Sequence, residues 1–261
     1  MKQRTLTGVV LALLSMVLLG CFHLPRVPQL IAILLGCGAV WEILGANGIR
    51  NKGSYAAGLF LAVIIPLFSL TEKVWWMAAA LVLGLGFFTY LMTRIGKQAP
   101  AWVAAPEIVL ALSLYRGLAC YGEIPHGAFF LCLTGLICAL TDIFAYLVGS
   151  RFGRHKLAPK VSPGKSIEGA LGGLGITVVL IVLVFGRFFD DIGTLVLYTA
   201  VVSILGQFGD LSMSAVKRVA GVKDFGHIFP GHGGILDRCD SLMYPLAFTW
   251  LLYCAQIWIF V

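Results

Sequence analysis

Charged side chains are scarce in this chain. Lys, Arg, Asp and Glu make up 12% of its 261 residues, where a soluble domain carries about 25%. With 59% hydrophobic residues and a mean hydropathy of +0.94, that scarcity excludes a soluble enzyme. A domain of this size has too little interior to hide so much apolar surface from water. It excludes a disordered chain too, since disorder needs low hydrophobicity and high charge. The net charge of +7 does not make a nucleic-acid binder, because the cations lie in a few clusters between long uncharged runs; no nucleic-acid partner is expected. Metal-type CxxC spacing is missing. The seven cysteines (21, 37, 120, 132, 138, 239 and 254) are odd in number and lie mostly inside apolar runs, where Cys behaves as a small hydrophobe. Neither disulfides nor zinc are indicated, and there is no fixed-period repeat, low-complexity tract or soluble domain.

What the chain has instead is a series of apolar runs, at approximately 5–22, 28–46, 55–70, 74–92, 102–122, 128–149, 170–186, 194–216 and 241–261. About 20 such residues cross the roughly 30 Å of bilayer hydrocarbon. The expected fold class is therefore an all-α integral membrane protein with about nine transmembrane helices. The third and seventh runs are short, and the fifth carries Glu107 and Arg116, which read as an interhelical polar pair or as helix-end groups, as does Glu42. The runs do not alternate, so a closed barrel of dyad-repeat strands is excluded.

Cations on the inner side set the orientation. With nine spans and a cytoplasmic N-terminus, the inner segments collect 15 of the 19 lysines and arginines, leaving Arg26, Lys73 and Arg187 outside and Arg116 within a span. The C-terminus then lies on the outer side. An odd change in the span count before residue 151 scrambles this partition. The basic surface belongs to the cytoplasmic face, where anionic lipids and nucleotides are found, and the expected location is a bacterial inner membrane with the active site facing the cytoplasm. Lys2, Arg4, an apolar stretch and Leu18-Leu19-Gly20-Cys21 read either as a cleaved lipoprotein signal or as an uncleaved first helix; the helix is preferred, and the remaining topology is the same.

Nearly all the unusual chemistry lies after residue 140. A single polytopic domain, 1–261, is expected, with 1–127 mainly scaffold and 128–261 a catalytic half carrying two basic cytoplasmic loops, 150–169 and 217–240. Asp142 and Asp210 sit near the cytoplasmic ends of spans. An ionised carboxylate in hydrocarbon costs several kcal/mol by most estimates, so it faces a wet cavity or a partner. The densest stretch runs from Ser214 to Asp240. Lys217, Arg218 and Lys223 are followed by a Gly/Pro-containing loop and then by Asp237 and Asp240. At the start of the last helix those two carboxylates share a face, their Cβ atoms about 5–6 Å apart. That spacing suits Mg²⁺, which takes one or two carboxylates and completes its shell with waters and phosphates. Gly231, Gly233 and Gly234 let the backbone approach a phosphate. An ordinary basic loop does not explain why the carboxylates are interleaved with the cations.

The second loop, Arg151 to Gly169, contains Gly164-Lys165-Ser166 and so looks superficially like a P-loop. Walker A needs a glycine where Pro159 stands, and no soluble βα unit flanks the loop, so a P-loop is rejected. A basic loop with Ser and Gly beside the Asp142 helix remains a plausible anion cradle. Asp190 and Asp191 fall on the outer side as a solvated loop.

These residues resemble the CDP-diacylglycerol synthases, or phosphatidate cytidylyltransferases. That family's signature runs Ser-x-x-Lys-Arg, four residues, Lys-Asp, then His-Gly-Gly, two apolar residues and Asp-Arg-x-Asp; Ser214 through Asp240 matches it at every spacing. Asp142, Ala145-Tyr146 and Gly149, with Phe152 to Lys156, are similar to a second block. Ser162 to Gly169 is similar to a third, with Ser166 in place of Thr; Cys239 is a mild departure. The resemblance is firm for the C-terminal half and rests on hydropathy alone for the first 140 residues.

What it implies is CMP transfer from CTP to phosphatidate in a Mg²⁺-dependent step, giving CDP-diacylglycerol and pyrophosphate for phospholipid synthesis. Phosphatidate is already an oxyanion, so no strong base is required; the difficulty is bringing two polyanions together. The implied catalytic residues are Asp210, Asp237, Lys217 and Arg238. The implied metal ligands are Asp210, Asp237 and Asp240, with Asp142 and Asp224 as outer ligands. Ser162, Lys165, Ser166, Ser214, Arg218, Lys223 and His232 would contact substrate. The partners implied are CTP, phosphatidate and the bilayer, and a homodimer stays open. Other readings are another membrane lipid nucleotidyl- or phosphotransferase, though the Asp-Gly-x-x-Ala-Arg motif of CDP-alcohol phosphotransferases is missing, and an ion-coupled transporter, which wants its acids at mid-bilayer in two related halves.

Overall fold

The computed structural model describes residues 20–21, 24, 26–67, 74–94, 103–123, 126–226, 228 and 233–255. The first apolar run up to residue 19, the end of the ninth, Gly231 and His232 lie outside them. The described chain is helical apart from one hairpin: α1 (Val27–Ala46), α2 (Lys52–Leu67), α3 (Val74–Arg94), α4 (Ala104–Cys120), α5 (Gly127–Phe152), strands β1 (Lys156–Ala158) and β2 (Ser162–Ser166), α6 (Ile167–Phe185), α7 (Ile192–Val219), the single turn α8 (Leu236–Cys239) and α9 (Met243–Cys254). Helices α1, α5 and α7, with α6 and its 3₁₀ extension to Phe188, are long and apolar enough to cross a membrane. The 16-residue α2 rises only about 24 Å at 1.5 Å per residue.

Helix α4 is the exception to the apolar pattern, and its burial explains why. Almost every residue from Ile108 to Cys120 is buried, with α1, α2, α3 and α9 packed around it. Its polar groups therefore meet protein rather than lipid. Asn47 Nδ2, just past the end of α1, donates to Glu107 Oε2 at 2.9 Å. Arg116 donates to the Ile65 carbonyl at 2.8 Å, one of the C-terminal carbonyls of α2 that has no partner within its own helix. These contacts are interhelical, as the sequence leads one to expect.

The second half packs α5, α6 and α7 against one another, and α9 joins them to α4. Apolar burial drives little association between helices in lipid, so close backbone approach matters more. A Cβ on Gly169 would lie 2.6 Å from the Ala145 carbonyl, and one on Gly173 would lie 2.7 Å from that of Thr141. Glycines at i and i+4 thus let α6 lie backbone to backbone on α5. Buried hydroxyls join the helices: Thr141 to Ser203 at 2.9 Å, and Tyr198 to Thr134 at 2.8 Å and to Thr249 at 2.9 Å.

Three local signals place the functional loops. Ser166 caps α6, its Oγ accepting the Gly169 N–H at 3.1 Å. Asp191 caps α7 through the Gly193 and Thr194 N–H groups, so it is a structural cap rather than only a solvated acid; the Thr194 hydroxyl, which also donates to it, and then these amides lower its pKa. Gly221, at φ +75°, ends α7 in a Schellman turn, with Val222 N–H on the Lys217 carbonyl and Gly221 N–H on that of Arg218.

The loop after α5 is not wholly irregular. It folds into an antiparallel β1–β2 hairpin with Lys156 opposite Ser166 and Ala158 opposite Ser162.

Candidate active site

Two cavities meet at one end of the α5–α7 bundle. One, of about 350 Å³, is lined by Asp142, Asp210, Lys217, Asp224, Asp237, Arg238, Asp240 and Ser241. The other, of about 340 Å³, lies between α5, the hairpin and α7. Its lining mixes Ser162, Lys165 and Ser166 with Ala145, Tyr146, Leu157 and Ala170. Asp142 and Asp210 line both, so the stretches of α5 and α7 that carry them form the wall between the two.

The hairpin closes that wall. Lys165 on β2 pairs with Asp210 on α7, and the Arg218 Nε–H donates to the Val161 carbonyl at 3.2 Å while its NH1 donates to that of Val222 at 3.3 Å. Arg218 thus ties the hairpin and the end of its own helix together. Ser214 Oγ donates to Asp210 Oδ1 at 3.4 Å.

The loop after α7 carries the other acids. Two glycines of α7 let it approach: a Cβ on Gly209 would strike the Asp240 carbonyl oxygen, and one on Gly206 would stand 3.3 Å from that of Ser241. Asp237 and Asp240 do not head the last long helix, as the sequence led one to expect. Asp237 lies in α8 and Asp240 in the turn before α9, which begins at Met243. Asp240 keeps helical angles, φ −58° and ψ −43°, so the two still lie on one side. Lys217 spans them, its Nζ 2.9 Å from Asp237 Oδ1 and 4.0 Å from Asp240 Oδ2.

The two carboxylates differ in their partners. Asp237 Oδ2 also accepts the Phe225 N–H at 3.0 Å and the Gly234 N–H at 2.9 Å. Burial opposes its charge, but Lys217 and those amides outweigh it and hold the carboxyl below the usual range. Among the described residues, Asp240 accepts only its neighbour's amide, Ser241 N–H at 2.8 Å. Burial, then the nearby Asp210 carboxylate, push it up to about 7 against the pull of Lys217.

The structure thus brings together Asp142, Asp210, Asp224, Asp237, Asp240, Lys217 and Arg238 around one cavity and Ser162, Lys165 and Ser166 around its neighbour. Lys223 lines neither cavity and is exposed. Sequence reasoning assigned no site role to Gln207 and Tyr146 on the second cavity or to Ser241 on the first. Tyr146 lies within the second matched block and Gln207 is an amide inside an uncharged run, whereas Ser241 carried no signal.

The donor set fits a hard divalent cation. Five aspartates face two cations around the first cavity, an excess of negative charge in a protein of net charge +7. Among the described residues no three His, Cys, Asp or Glu side chains converge into a ready-made metal cage. Mg²⁺ does not need one, since substrate phosphates and water complete its shell.

The profile of the cytidylyltransferase family matches residues 2–255. The chain is similar to the phosphatidate cytidylyltransferase of Staphylococcus haemolyticus, 37% identical over 257 residues covering 94% of this chain and 96% of the relative. It is 36% identical to that of Staphylococcus epidermidis over 256 residues, and 35% identical to that of Staphylococcus aureus over 257, with the same coverage.

Proposed function

The chain belongs to the cytidylyltransferase family and is therefore a nucleotidyltransferase, and on that premise we propose that it transfers CMP from CTP to phosphatidate. The observation that carries the reading is the shared wall: two cavities of different lining meet at Asp142 and Asp210. The polar cavity receives the triphosphate. The other, with its apolar side chains and Ser162, Lys165 and Ser166, receives the lipid phosphate, and its exposed Tyr146 faces the direction of the acyl chains.

In the reaction a phosphatidate oxygen, already anionic, bonds to the α-phosphorus of CTP. The bond from that phosphorus to the bridging oxygen breaks, and pyrophosphate leaves with the electron pair. No proton need be removed. Asp210 and Asp240 would hold Mg²⁺, with Asp142 and Asp224 as outer ligands, and the ion would supply neutralisation of phosphate charge. Asp237, also expected as a ligand, has its oxygens on Lys217 and two loop amides and is assigned to holding Lys217 instead. Lys217 is held over the cavity by Asp237, and by the Phe225 ring 5.6 Å from its Nζ. It offers positive charge to the leaving pyrophosphate, with Arg238 beside it. Lys165, on the dividing wall, lies within reach of either phosphate. A preorganised cluster of this kind acts mainly through electrostatics and positioning. The active site faces the cytoplasm of a bacterial inner membrane, in a chain of nine spans.

Purified protein in detergent, given phosphatidate, Mg²⁺ and CTP labelled at the α-phosphorus, is expected to move label into the lipid extract. Label at the γ-phosphorus should stay in the aqueous phase as pyrophosphate, and a chelator should stop the transfer until Mg²⁺ is restored. Transfer to another lipid phosphate but not to phosphatidate would replace the substrate. No transfer to any lipid would end the reading.

A further inference from the structure

Glu42 lies on the scaffold helix α1, lines neither cavity and is 3% exposed. A buried carboxylate in a membrane helix needs partners, and it finds them in the loop that carries the acids. Oε1 accepts the Ile235 N–H at 2.8 Å and Oε2 the Leu236 N–H at 2.9 Å. The preceding amide, Gly234 N–H, goes to Asp237. Three successive amides are thus held by two carboxylates, one from each half of the protein. The loop is shaped to receive Glu42: a Cβ on Gly226 would lie 2.7 Å from its Oε1, and one on Gly234 would overlap the same carboxylate. One turn away on α1, Gly38 admits the Ile235 side chain, which a Cβ there would strike.

We propose that Glu42 is a positioning residue: it fixes the main chain at Ile235 and Leu236, and through it the places of Asp240 and Arg238 in the polar cavity. This rests on the reading of that cavity as the active site. Both oxygens are used, so charge-conserving and shape-conserving substitutions separate cleanly. Glutamine keeps one acceptor and turns an N–H₂ toward an N–H donor. Aspartate keeps both acceptors on a shorter stem.

The test uses the purified full chain in detergent, with kcat and KM for CTP at saturating Mg²⁺, and peptide-level hydrogen exchange. Glu42→Gln is expected to lower kcat/KM by about 10- to 100-fold, the scale of a small misplacement of reacting groups. Exchange should rise in the segment 233–242, with the transmembrane helices as protected as in the wild type. Glu42→Asp should recover a substantial part of both. A kcat/KM within about twofold of wild type in Glu42→Gln overturns the proposal, on the same scale. So does a loss accompanied by faster exchange throughout the chain, or an aspartate variant no better than the glutamine one. Asp210→Asn in the same assay separates the two failures. Inactive Asp210→Asn beside an unimpaired Glu42→Gln removes only the positioning role, whereas active Asp210→Asn removes the site reading and with it this one.

Discussion

Asp210 and Asp237 look equivalent in the sequence, yet their surroundings give them different work. Asp210 pairs with Lys165 on a partly exposed wall, and replacing it changes charge where the proposed substrates and cation would meet. Asp237 is nearly closed off from solvent and holds Lys217 together with two loop amides. Breaking such a pair leaves Lys217 buried with, among the described residues, only the more distant carboxylate of Asp240 at 4.0 Å, a loss on the order of 3 kcal/mol. Asp210→Asn is therefore expected to abolish turnover with an unchanged melting temperature in detergent. Asp237→Asn should lose turnover and melt several degrees lower. Equal melting temperatures for the two variants would mean that Asp237 does not hold the loop. A few-fold effect of Asp210→Asn on activity would remove it as a ligand.

Between elements, the close approach of α7 to the Asp240 turn is the contact most sensitive to volume. Alanine is favoured over glycine in a helix by about 1 kcal/mol, so Gly209→Ala should strengthen α7 taken alone. Because its Cβ would strike the Asp240 carbonyl, the expected result is a protein that inserts and purifies normally but has lost most of its activity. Wild-type activity in Gly209→Ala would show that the turn can yield, and that the meeting of Asp210 with Asp240 is not set there. Elements were legible to different degrees for the same physical reason. The apolar runs at 28–46, 128–149 and 194–216 fall within α1, α5 and α7, since the bilayer demands a length and composition that survive in any context. The hairpin was not legible, because Pro159, Pro163 and Gly164 interrupt any alternation in strands of three and five residues. The meeting of Asp142, Asp210, Lys217, Asp237 and Asp240 could be anticipated from their clustering at the ends of runs. Glu42 could not: its partners are backbone amides nearly 200 positions away, and amides leave no mark in a sequence.

For the molecule as a whole, the arrangement of cations has one consequence that can be checked without any substrate. Helix α6 holds 19 residues, about 28 Å at 1.5 Å per residue, which is close to the hydrocarbon thickness. If α6 crosses the bilayer, the hairpin before it and the Asp190–Asp191 turn after it stand on opposite sides. Lys160 and Asp190 are both exposed and suit thiol labelling, in a chain whose native cysteines have been replaced and whose activity is retained. With the active site on the cytoplasmic side, Lys160→Cys should react with a membrane-impermeant thiol reagent in inverted vesicles but not in intact cells, and Asp190→Cys should do the reverse. The opposite pattern would put the cation-rich face outside, away from nucleotides. Labelling of both from one side would mean that α6 does not span, and the nine-span topology proposed for the chain would fall with it.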